Sequence, residues 1–421
     1  MDSKTNIKFE DNRGTLYFPI KDNMQNFKEC TISINKKNVF RGIHASPFEK
    51  LIVCIQGKIL DIVINFDKTS KDYLETQYYM LDPKTDLFQI LVPKNHGHAF
   101  LSLEDDSILV YHFNGVFSDE STTHINYLDP ILNITLPVKH PILSEKDKKP
   151  NFVEPIDYIV LGYKGFLGNH VVKTLSKKNK NFITSGVRLE NLKEIESALD
   201  RYKPKAVINC AGLTGVPNIF WCDDNPVETI EVNVVYQLTL AKLCNDRNIH
   251  LTTIVSGAIF QNDKYYSESD EGNFDSNFYS KCRIYLENMI KKYKNVLCLR
   301  VNYPISGTKS NKNLLTKLLS YNKIDDVEFS ITCVDELFPK LIDMIDNVET
   351  GVCNFVTTGT ISPVKILEIY NKHSHKIFEI EKSNDSKRSY AKLEVGLLKK
   401  YGVSKVEDAV ERCVIEYIKN N

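Results

Sequence analysis

Short runs of apolar residues, five or six positions long, recur through the first 140 or so residues of the chain. Leu51–Ile55, Ile59–Ile64, Phe88–Val92 and Ile108–Phe113 are such runs, and polar turns such as Gln56-Gly57 separate them. No run has the spacing of three and four that marks one face of a helix. Short strands at regular spacing predict a β-sandwich or barrel for this part of the chain.

The pattern changes after Ser144–Pro155, a polar, Lys-rich segment bounded by prolines that is typical of a linker. Apolar strands then alternate with amphipathic helical stretches. The predicted strands are Tyr158–Leu161, Phe182–Ser185, Ala206–Cys210, Leu251–Val255 and Leu297–Val301, and the predicted helices include His170–Lys178, Val234–Asn248 and Tyr279–Lys292. This alternation predicts an α/β Rossmann domain with a doubly wound parallel sheet. We expect two domains, residues 1–150 and 151–421, with a small C-terminal substrate cap from about residue 320.

The composition excludes several classes of partner. Lys plus Arg and Asp plus Glu number 54 each among 421 residues, so no net charge draws the chain to nucleic acid or an anionic membrane. The ten cysteines form no Cys-x-x-Cys pair, which predicts reduced thiols. The N-terminus shows no apolar signal core, and no apolar run would cross a bilayer. We therefore expect a cytoplasmic protein with no nucleic-acid or membrane partner.

Three glycines, Gly162, Gly165 and Gly168, follow the first predicted strand of the second domain and open a helix. This spacing allows a tight turn and the close approach of a pyrophosphate to the helix N-terminus, so it predicts a dinucleotide site. Arg188 follows the next strand, where an acidic residue would bind a ribose 2′-hydroxyl. NADP is therefore favoured, with NAD as the alternative. A solvated surface role for Arg188 fits the sequence as well.

Further motifs follow the glycine turn in order. They are Asn209-Cys210-Ala211-Gly212, Ser256-Gly257-Ala258 and Phe278-Tyr279-Ser280-Lys281-Cys282-Arg283. This set resembles the extended short-chain dehydrogenase/reductase family. Leu213–Asn218, Trp221-Cys222, Phe278–Lys281 and Asn313–Lys317 further resemble its plant-type bifunctional epimerase/reductases, which convert UDP-4-keto-6-deoxyglucose to UDP-rhamnose. The likeness covers about residues 157–418.

The resemblance implies an NAD(P)H-dependent reductase of a sugar 4-ketone. Tyr279 would be the general acid that protonates the developing alkoxide, and Ser256 would hydrogen-bond the carbonyl. The motif residues that would line the cofactor are Asn209, Ala211 and Gly212. The family usually has Lys four residues after the Tyr, where this chain has Arg283. Arg keeps the charge near Tyr279 but presents a different geometry.

A second departure concerns epimerisation within the same domain. Ala258 replaces a Cys that, in the plant-type enzymes, transfers protons together with a Lys, and Lys317 matches that Lys. Because Ala cannot carry a proton, we expect this domain to have lost its own epimerase function. The resemblance leaves Asn218 and Lys317 as substrate-binding candidates. Another domain would then have to supply the epimerisation.

The N-terminal domain carries an ordered set of motifs of its own. They are Phe9–Gly14, Arg41–His44, Lys50-Leu51, Pro93–Phe100, Asp129-Pro130 and Leu143–Asp147. The set resembles the dTDP-4-dehydrorhamnose 3,5-epimerase family, whose members are jelly-roll cupins, over about residues 7–150. The likeness implies an isomerase that moves protons on a carbon next to a ketone. It also implies a homodimer formed through the cupin domain.

The resemblance assigns roles to six residues of this domain. His44 would be the base and Asp147 the carboxylate that orients it. Lys50 and His98 would steady the enolate oxygen. The arginines that would grip the diphosphate are Arg13 and Arg41.

Two features of the domain leave room for other interpretations. His44, His96 and His98 could bind a metal, as histidines do in many cupins, but the resembling epimerases work without one, so no metal is expected. Phe117 aligns with the general acid Tyr of the family, and Phe cannot deliver a proton. The sequence therefore predicts a single inversion at C3, with inversion at both C3 and C5 as the alternative.

Together the two halves predict a fused epimerase and 4-reductase for a UDP-linked 4-keto-6-deoxyhexose, with dTDP as the less favoured nucleotide. The product would be an L-6-deoxy sugar such as rhamnose, or its 2-acetamido counterpart rhamnosamine. Three alternatives stay open: a non-catalytic cupin that only binds sugar or dimerises, a reductase half that only binds cofactor, and a metal-dependent cupin.

Overall fold

The computed structural model describes residues 7–11, 14–18, 27–68, 70, 72–118, 121–148, 151–215, 218–261, 264–375, 377–379, 381–383 and 389–420. The chain divides into two compact units, Met1–Glu154 and Pro155–Asn421. Within the described residues, the first unit contains strands without helices, and the second alternates strands with helices. The predicted fold class is therefore confirmed.

The first unit is built from antiparallel strands. They are β1 (Ile7–Asp11), β2 (Gly14–Phe18), β3 (Glu29–Asn35), β4 (Phe40–Ala45), β5 (Lys50–Gln56), β6 (Ile59–Asn65), β7 (Thr76–Leu81), β8 (Gln89–Val92), β9 (His96–Ser102), β10 (Ser107–Phe113) and β11 (Thr123–His124). One sheet has the order β3-β10-β5-β8, and the other has the order β11-β4-β9-β6-β7. Strands β1 and β2 pair with each other. Two sheets with crossing strand orders match the jelly-roll prediction.

Alternation along these strands separates an inward face from an outward face. Ile52 and Cys54 of β5 pack with Val63 of β6, Phe100 of β9 and Leu109 of β10 in one buried cluster, which draws on both sheets. Residues two positions away on a strand point to the same side. The inward faces therefore also carry four polar side chains, Lys50, Asp61, His98 and Tyr111. These four polar side chains therefore lie beside the apolar core, on the same strand faces.

The second unit is built on one parallel sheet. Its strands, in the order β13-β12-β14-β15-β17-β19, are β13 (Phe182–Ser185), β12 (Tyr158–Leu161), β14 (Ala206–Asn209), β15 (His250–Ser256), β17 (Val296–Val301) and β19 (Gly351–Asn354). The helices are α1 (Phe166–Lys177), α2 (Leu192–Tyr202), α3 (Trp221–Asp224), α4 (Pro226–Ile230), α5 (Tyr236–Asp246), α6 (Phe278–Ile290), α7 (Leu314–Leu318), α8 (Val334–Asp346), α9 (Pro363–His373) and α10 (Val406–Lys419).

Shorter elements complete this unit. A π-helical turn, Glu231–Val235, precedes α5, and a 3₁₀ turn spans Leu397–Tyr401. Small two-stranded pairings join β16 (Tyr265–Tyr266) to β21 (Lys392–Leu393) and β18 (Ile324–Asp325) to β20 (Lys382–Ser383). No helix in the described residues is both long and apolar enough to span a bilayer.

Two elements differ from the sequence-based prediction. Helix α1 begins at Phe166 rather than His170, because Gly165 is extended (φ −71°, ψ 167°) and serves as the N-cap directly after the glycine turn. Strand β19, in the segment assigned to the cap, pairs in parallel with β17 and forms an edge of the main sheet. The last hundred residues thus complete the Rossmann sheet as well as adding further elements.

A buried ion pair fastens α6 to the main sheet. Arg300 of β17 donates to both carboxylate oxygens of Glu287 on α6, with Nε to Oε2 at 2.8 Å. Nη1 also donates to the backbone oxygen of Ser267 at 2.9 Å, and Nη2 donates to that of Asp270 at 2.7 Å. Both charged side chains are almost fully buried, so each depends on the other for its charge partner.

Candidate active sites

The first candidate site surrounds His44 on β4. Nε2 of His44 lies 2.9 Å from Oδ1 of Asp147, and Ser144 Oγ donates to Oδ2 of that carboxylate at 2.8 Å. Burial raises the pKa of Asp147, but the hydrogen bonds from His44 and Ser144 outweigh burial and hold that pKa below its ordinary value. A charged carboxylate on Nε2 leaves Nδ1 as the ring nitrogen that can accept a proton.

Lys50, the first residue of β5, faces the same interior from the other sheet. Its Nζ donates to the backbone oxygen of His44 at 2.9 Å. Burial lowers the pKa of Lys50 to about 8, and the charge of Asp61 opposes that shift. The Lys50 side chain is therefore still mostly protonated at pH 7. A cation beside the base is well placed to stabilise the negative charge that proton removal creates.

His98 is the second imidazole of the site. It lies directly opposite His44 in the β4–β9 register, so both rings are on one face of the sheet. Nε2 of His98 lies 2.7 Å from Oδ2 of Asp61, and both side chains are buried. The sequence-based reasoning did not include Asp61. Its signal was a single carboxylate in the middle of the apolar run Ile59–Ile64.

Tyr111 of β10 adds a phenol that the sequence-based reasoning also missed. Its ring stands nearly perpendicular to the ring of His98, with centroids 6.1 Å apart. Tyr111 Oη lies 3.4 Å from Ser33 Oγ. Burial raises the pKa of Tyr111, so its proton is retained at neutral pH. The alternation of Leu109 inward, Val110 outward and Tyr111 inward was the available signal.

The remaining predicted residues of this domain make fewer contacts with the His44 site. Arg41 Nε donates to Asn35 Oδ1 at 2.9 Å, with the Arg41 side chain otherwise exposed. The ring of Phe117 lies 6.2 Å from that of Phe113, which stacks on Tyr111 at 6.0 Å. Arg13 lies outside the described residues. The single-inversion prediction, which rested on Phe117, remains a prediction.

In the part of the chain that the structure describes, no group of three or more His, Cys, Asp or Glu side chains could hold a metal ion. Nδ1 of His96 lies 3.1 Å from the backbone oxygen of Lys94, while His44 and His98 each contact one carboxylate.

The second candidate site begins at the glycine turn between β12 and α1. Gly162 has φ +67°, and a Cβ there would lie 2.5 Å from the backbone nitrogen of Ala211. A Cβ at Gly168 would lie 2.2 Å from the backbone oxygen of Gly162. Gly165 caps α1, whose first backbone N–H groups open toward this turn. Only glycine fits the first and last positions, and the turn matches a pyrophosphate cradle.

The wall beside this turn comes from the segment after β14. Asn209 Oδ1 accepts from the backbone nitrogen of Ala211 at 3.0 Å, and Gln237 Nε2 donates to the backbone oxygen of Ala211 at 3.0 Å. A Cβ at Gly212 would lie 2.6 Å from Nη2 of Arg283. The three residues predicted to line the cofactor, Asn209, Ala211 and Gly212, therefore lie in the segment that the guanidinium of Arg283 reaches.

Arg283 is buried on α6 with only 4% of its surface exposed. Its Cζ lies 5.1 Å from the ring centroid of Tyr279, one turn earlier on the helix. Nε and Nη1 of Arg283 have no hydrogen-bond partner among the described residues. A buried guanidinium with two nitrogens that lack a hydrogen-bond partner fits a site that receives a polar or anionic cofactor.

Tyr279 and Ser256 are brought to one edge of the sheet. Ser256 is the last residue of β15, and its Oγ accepts from the backbone nitrogen of Ala258 at 3.1 Å. Ser280, next to Tyr279, donates through Oγ to the backbone oxygen of Ala258 at 2.9 Å. The start of α6 is therefore tied to the turn that follows Ser256, and both side chains are nearly buried.

The other predicted residues lie in surface segments. Arg188 is 83% exposed, with a 3.8 Å contact to Glu190. Asn218 Oδ1 accepts from the backbone nitrogen of Phe220 at 3.0 Å, and Lys317 lies exposed on α7. Near these two residues in the chain, Lys312 Nζ donates to Thr214 Oγ1 at 2.9 Å.

Comparison with known proteins agrees with this division of the chain. The family model for dTDP-4-dehydrorhamnose 3,5-epimerase matches residues 6–154, and the model for the RmlD substrate binding domain matches residues 157–330. The resemblances seen in the sequence are thereby confirmed for both halves.

Two relatives come from Arabidopsis thaliana. The bifunctional dTDP-4-dehydrorhamnose 3,5-epimerase/dTDP-4-dehydrorhamnose reductase is 35% identical over 226 residues, which cover 52% of this chain and 75% of the relative. The trifunctional UDP-glucose 4,6-dehydratase/UDP-4-keto-6-deoxy-D-glucose 3,5-epimerase/UDP-4-keto-L-rhamnose-reductase is 35% identical over 227 residues. That match covers 52% of this chain and 34% of the relative, so the chain spans about a third of the trifunctional protein.

Among solved structures, the L780 UDP-rhamnose synthase from Acanthamoeba polyphaga mimivirus superimposes with a TM-score of 0.59 at 26% sequence identity. The match covers 62% of this chain and 100% of that chain. An epimerase-family domain followed by a reductase-family domain confirms the prediction of a two-domain isomerase and oxidoreductase. The chain belongs to the family of bifunctional nucleotide-sugar 3,5-epimerase/4-reductases.

Proposed function

We propose that residues 1–150 epimerise a UDP-linked 4-keto-6-deoxyhexose and that residues 151–421 reduce its C4 ketone, giving UDP-L-rhamnose. One observation carries the proposal: a hydrogen-bonded His–Asp pair and a buried ammonium face one interior from two sheets. His44 Nε2 is 2.9 Å from Asp147, and Lys50 Nζ is 2.9 Å from the backbone oxygen of His44. This arrangement suits the removal of a proton next to a carbonyl.

In the epimerase step, His44 Nδ1 accepts the proton from the carbon next to the ketone. The C–H electron pair moves into the ring to form an enolate, whose charge rests on the C4 oxygen. Lys50 and His98 stabilise that oxygen, and Asp147 stabilises the imidazolium. His44 later passes its proton to solvent, and the acid that protonates the carbon takes its proton from solvent, so deuterium from heavy water enters the sugar.

Inversion requires that a proton return to the opposite face of the ring. Tyr111 belongs to the four-stranded sheet, whereas His44 belongs to the five-stranded sheet, so the two groups address the interior from different walls. Tyr111 keeps its proton because burial raises its pKa. We assign Tyr111 the acid role that Phe117 cannot perform. With an acid present, the same pair serves both C3 and C5, as a product of L configuration needs.

In the reductase half, the residues present fit a nicotinamide dinucleotide. Gly162, Gly165 and Gly168 would hold the pyrophosphate, and the unpartnered nitrogens of Arg283 would meet the nicotinamide ribose. A nicotinamide dinucleotide held there would supply the hydride for C4 of the sugar. Tyr279 gives its phenolic proton to the C4 oxygen, and Ser256 orients the carbonyl by a hydrogen bond. We propose NADPH, with Arg188 as the group that meets the 2′-phosphate.

UDP and a C2 hydroxyl are the proposed substrate features. They are supported by the trifunctional plant relative, whose name specifies UDP-4-keto-6-deoxy-D-glucose, and by the mimivirus structure, described as a UDP-rhamnose synthase. Arg41, Asn218 and Lys317 are the proposed substrate contacts in the two halves, with Arg13 as a further one from the sequence. A 2-acetamido substrate is the alternative that a direct assay separates.

We further propose that the protein works as a cytoplasmic homodimer. The outward face of the four-stranded sheet exposes a row of apolar side chains: Ile32, Ile34, Ile55 and Leu91, each 43–66% exposed. Strands β1 and β2 pair with each other and with no other described strand. A second copy would cover such a face. All ten cysteines are free, which suits a reducing compartment. Sedimentation of wild type and Ile32→Lys tests the dimer.

The proposed function is tested by offering the protein four ketones with NADPH in heavy water: UDP- and dTDP-linked 4-keto-6-deoxyglucose, and their 2-acetamido forms. We expect UDP-L-rhamnose carrying deuterium at C3 and C5. Deuterium at C3 alone would favour the single inversion. Preferred turnover of a 2-acetamido form would replace the substrate, and a reduced product without deuterium would remove the epimerase assignment.

A further inference from the structure

The epimerase site has a third imidazole, which neither the family resemblance nor the mechanism above uses. His124 is the last residue of β11, a two-residue strand at the edge of the five-stranded sheet. In the antiparallel register His124 lies directly opposite His44. The two rings are 4.7 Å apart between centroids and meet edge to face at 74°. The candidate base therefore has an aromatic neighbour across the strand pair.

The backbone around His124 holds that neighbour in place. Ile125 N donates to the backbone oxygen of Ile43 at 3.0 Å, and Ile43 N donates back to Ile125 O at 3.2 Å. Thr122 Oγ1, two residues earlier, donates to the backbone oxygen of Ser118 at 2.8 Å. The two bonds between Ile43 and Ile125 lie directly beside the His124–His44 pair. The edge strand is therefore held against β4, and the His124 ring contacts the His44 ring.

The contact matters because one hydrogen bond does not define the plane of a ring. Asp147 fixes Nε2 of His44 at one point, about which the imidazole can still tilt. A base that takes a proton from carbon needs its lone pair aimed at that carbon. The perpendicular ring of His124 packs against His44 and removes the tilt. Together, Asp147 and His124 fix both the position and the plane of His44.

We propose that His124 is a positioning residue of the epimerase site, which sets the orientation of the His44 ring through a planar edge-to-face contact. The proposal rests on the proposed epimerase function and adds a residue to it. The property that matters is the flat ring, not its nitrogens. A phenylalanine should therefore replace His124, and a leucine of similar bulk should not.

Two variants of the full chain, His124→Phe and His124→Leu, test this proposal, with His140→Leu at an exposed position as the matched control. Two readouts are needed. The first is the low-field ¹H signal of the His44 ring N–H held by Asp147, recorded on ¹⁵N-histidine-labelled protein without substrate. The second is kcat and KM for deuterium entry at C3 of UDP-4-keto-6-deoxyglucose.

We expect His124→Leu to broaden or abolish the His44 ring N–H signal and to lower kcat roughly tenfold or more, with KM changed less than about twofold. His124→Phe should keep the signal and stay within about threefold of wild type, as should His140→Leu. Should His124→Leu not fold, as judged by thermal melting, the signal of His124→Phe decides alone: kept supports the proposal, and lost overturns it.

Other results separate the possible failures. An unchanged signal and rate in His124→Leu would overturn the positioning role. Equal loss of activity in both variants, with the signal kept, would also overturn it, because the nitrogens of His124 would then be the active feature. If wild type shows no exchange while the signal responds as expected, the proposed substrate chemistry fails and the positioning role stands.

Discussion

The two sites differ in where their charged groups find partners. In the first unit, His44 and His98 each contact a carboxylate of the same domain, Asp147 at 2.9 Å and Asp61 at 2.7 Å. In the second, Arg283 is buried, and two of its nitrogens have no hydrogen-bond partner within the described residues. Buried charge is costly unless it is paired. The comparison teaches that both imidazoles of the epimerase site find a carboxylate within their own domain, whereas the reductase site leaves two nitrogens of a buried guanidinium for a cofactor.

The largest expected effect comes from His44→Ala. Loss of the base should lower deuterium entry at C3 and C5 roughly a thousandfold. NADPH oxidation with a ketone that is already epimerised should not change, because that chemistry uses other residues. NMR of the sugar and NADPH absorbance measure the two activities separately. Wild-type amounts of epimerised product from this variant would instead support a cupin that only binds or dimerises.

Tyr279→Phe is the counterpart in the reductase half. Without the phenolic proton, NADPH oxidation should fall roughly a hundredfold, while deuterium entry continues at the wild-type rate. Tyr285→Phe is the matched control, since Tyr285 lies on the same helix with half its surface exposed. Unchanged reduction in Tyr279→Phe would show that another group delivers the proton.

Arg283 tests whether the reductase site needs a cofactor to complete it. Arg283→Met should raise KM for NADPH and lower kcat, for a combined loss of about tenfold to a hundredfold, because the cation beside Tyr279 is gone. Arg283→Lys restores the charge and should recover most of that loss. Lys281→Met, on the exposed side of the same helix, serves as control. An Arg283→Met enzyme that binds NADPH as tightly as wild type would show that the reductase site does not use this guanidinium to bind its cofactor.

The smallest effect is a pH dependence confined to the epimerase half. Burial lowers the pKa of Lys50 to about 8, so its ammonium is present below that pH and is lost above it. Deuterium entry should therefore fall by about fivefold between pH 8 and pH 9, as the enolate loses its cation. Lys50→Arg keeps its charge and should flatten the profile. The same fall in Lys50→Arg would assign the titration to another group.

The sequence supported the fold more fully than the sites. Alternation in the runs Leu51–Ile55 and Ile59–Ile64 is local, and so is the strand–glycine–helix order around Gly162, so both could be read directly. Strand β19 lies in the segment assigned to the cap, and its membership of the main sheet depends on pairing with the distant β17. The local pattern of hydrophobic residues does not reveal which distant strands pair with each other.

The same limit explains which site residues escaped prediction. The site contacts of Asp61, Tyr111 and His124 are with residues on other strands, not with neighbours in the chain. Register places His124 opposite His44, and a one-residue shift would turn that ring to the other face. Arg188 shows the converse case. Its position in the chain, after β13, was enough to predict a contact with the 2′-phosphate of NADP. In the structure its side chain is exposed, and a cofactor assay tests that prediction.

The Arg300–Glu287 pair carries a consequence for how this enzyme can evolve. Glu287 lies two turns beyond Tyr279 on α6, and neither charged partner belongs to the proposed reaction chemistry. Losing one partner would strand the other in the interior at a cost of about 3–5 kcal/mol. Drift at position 287 is therefore coupled to drift at position 300, and natural variants that preserve the reductase should exchange the two together, as an apolar couple or not at all.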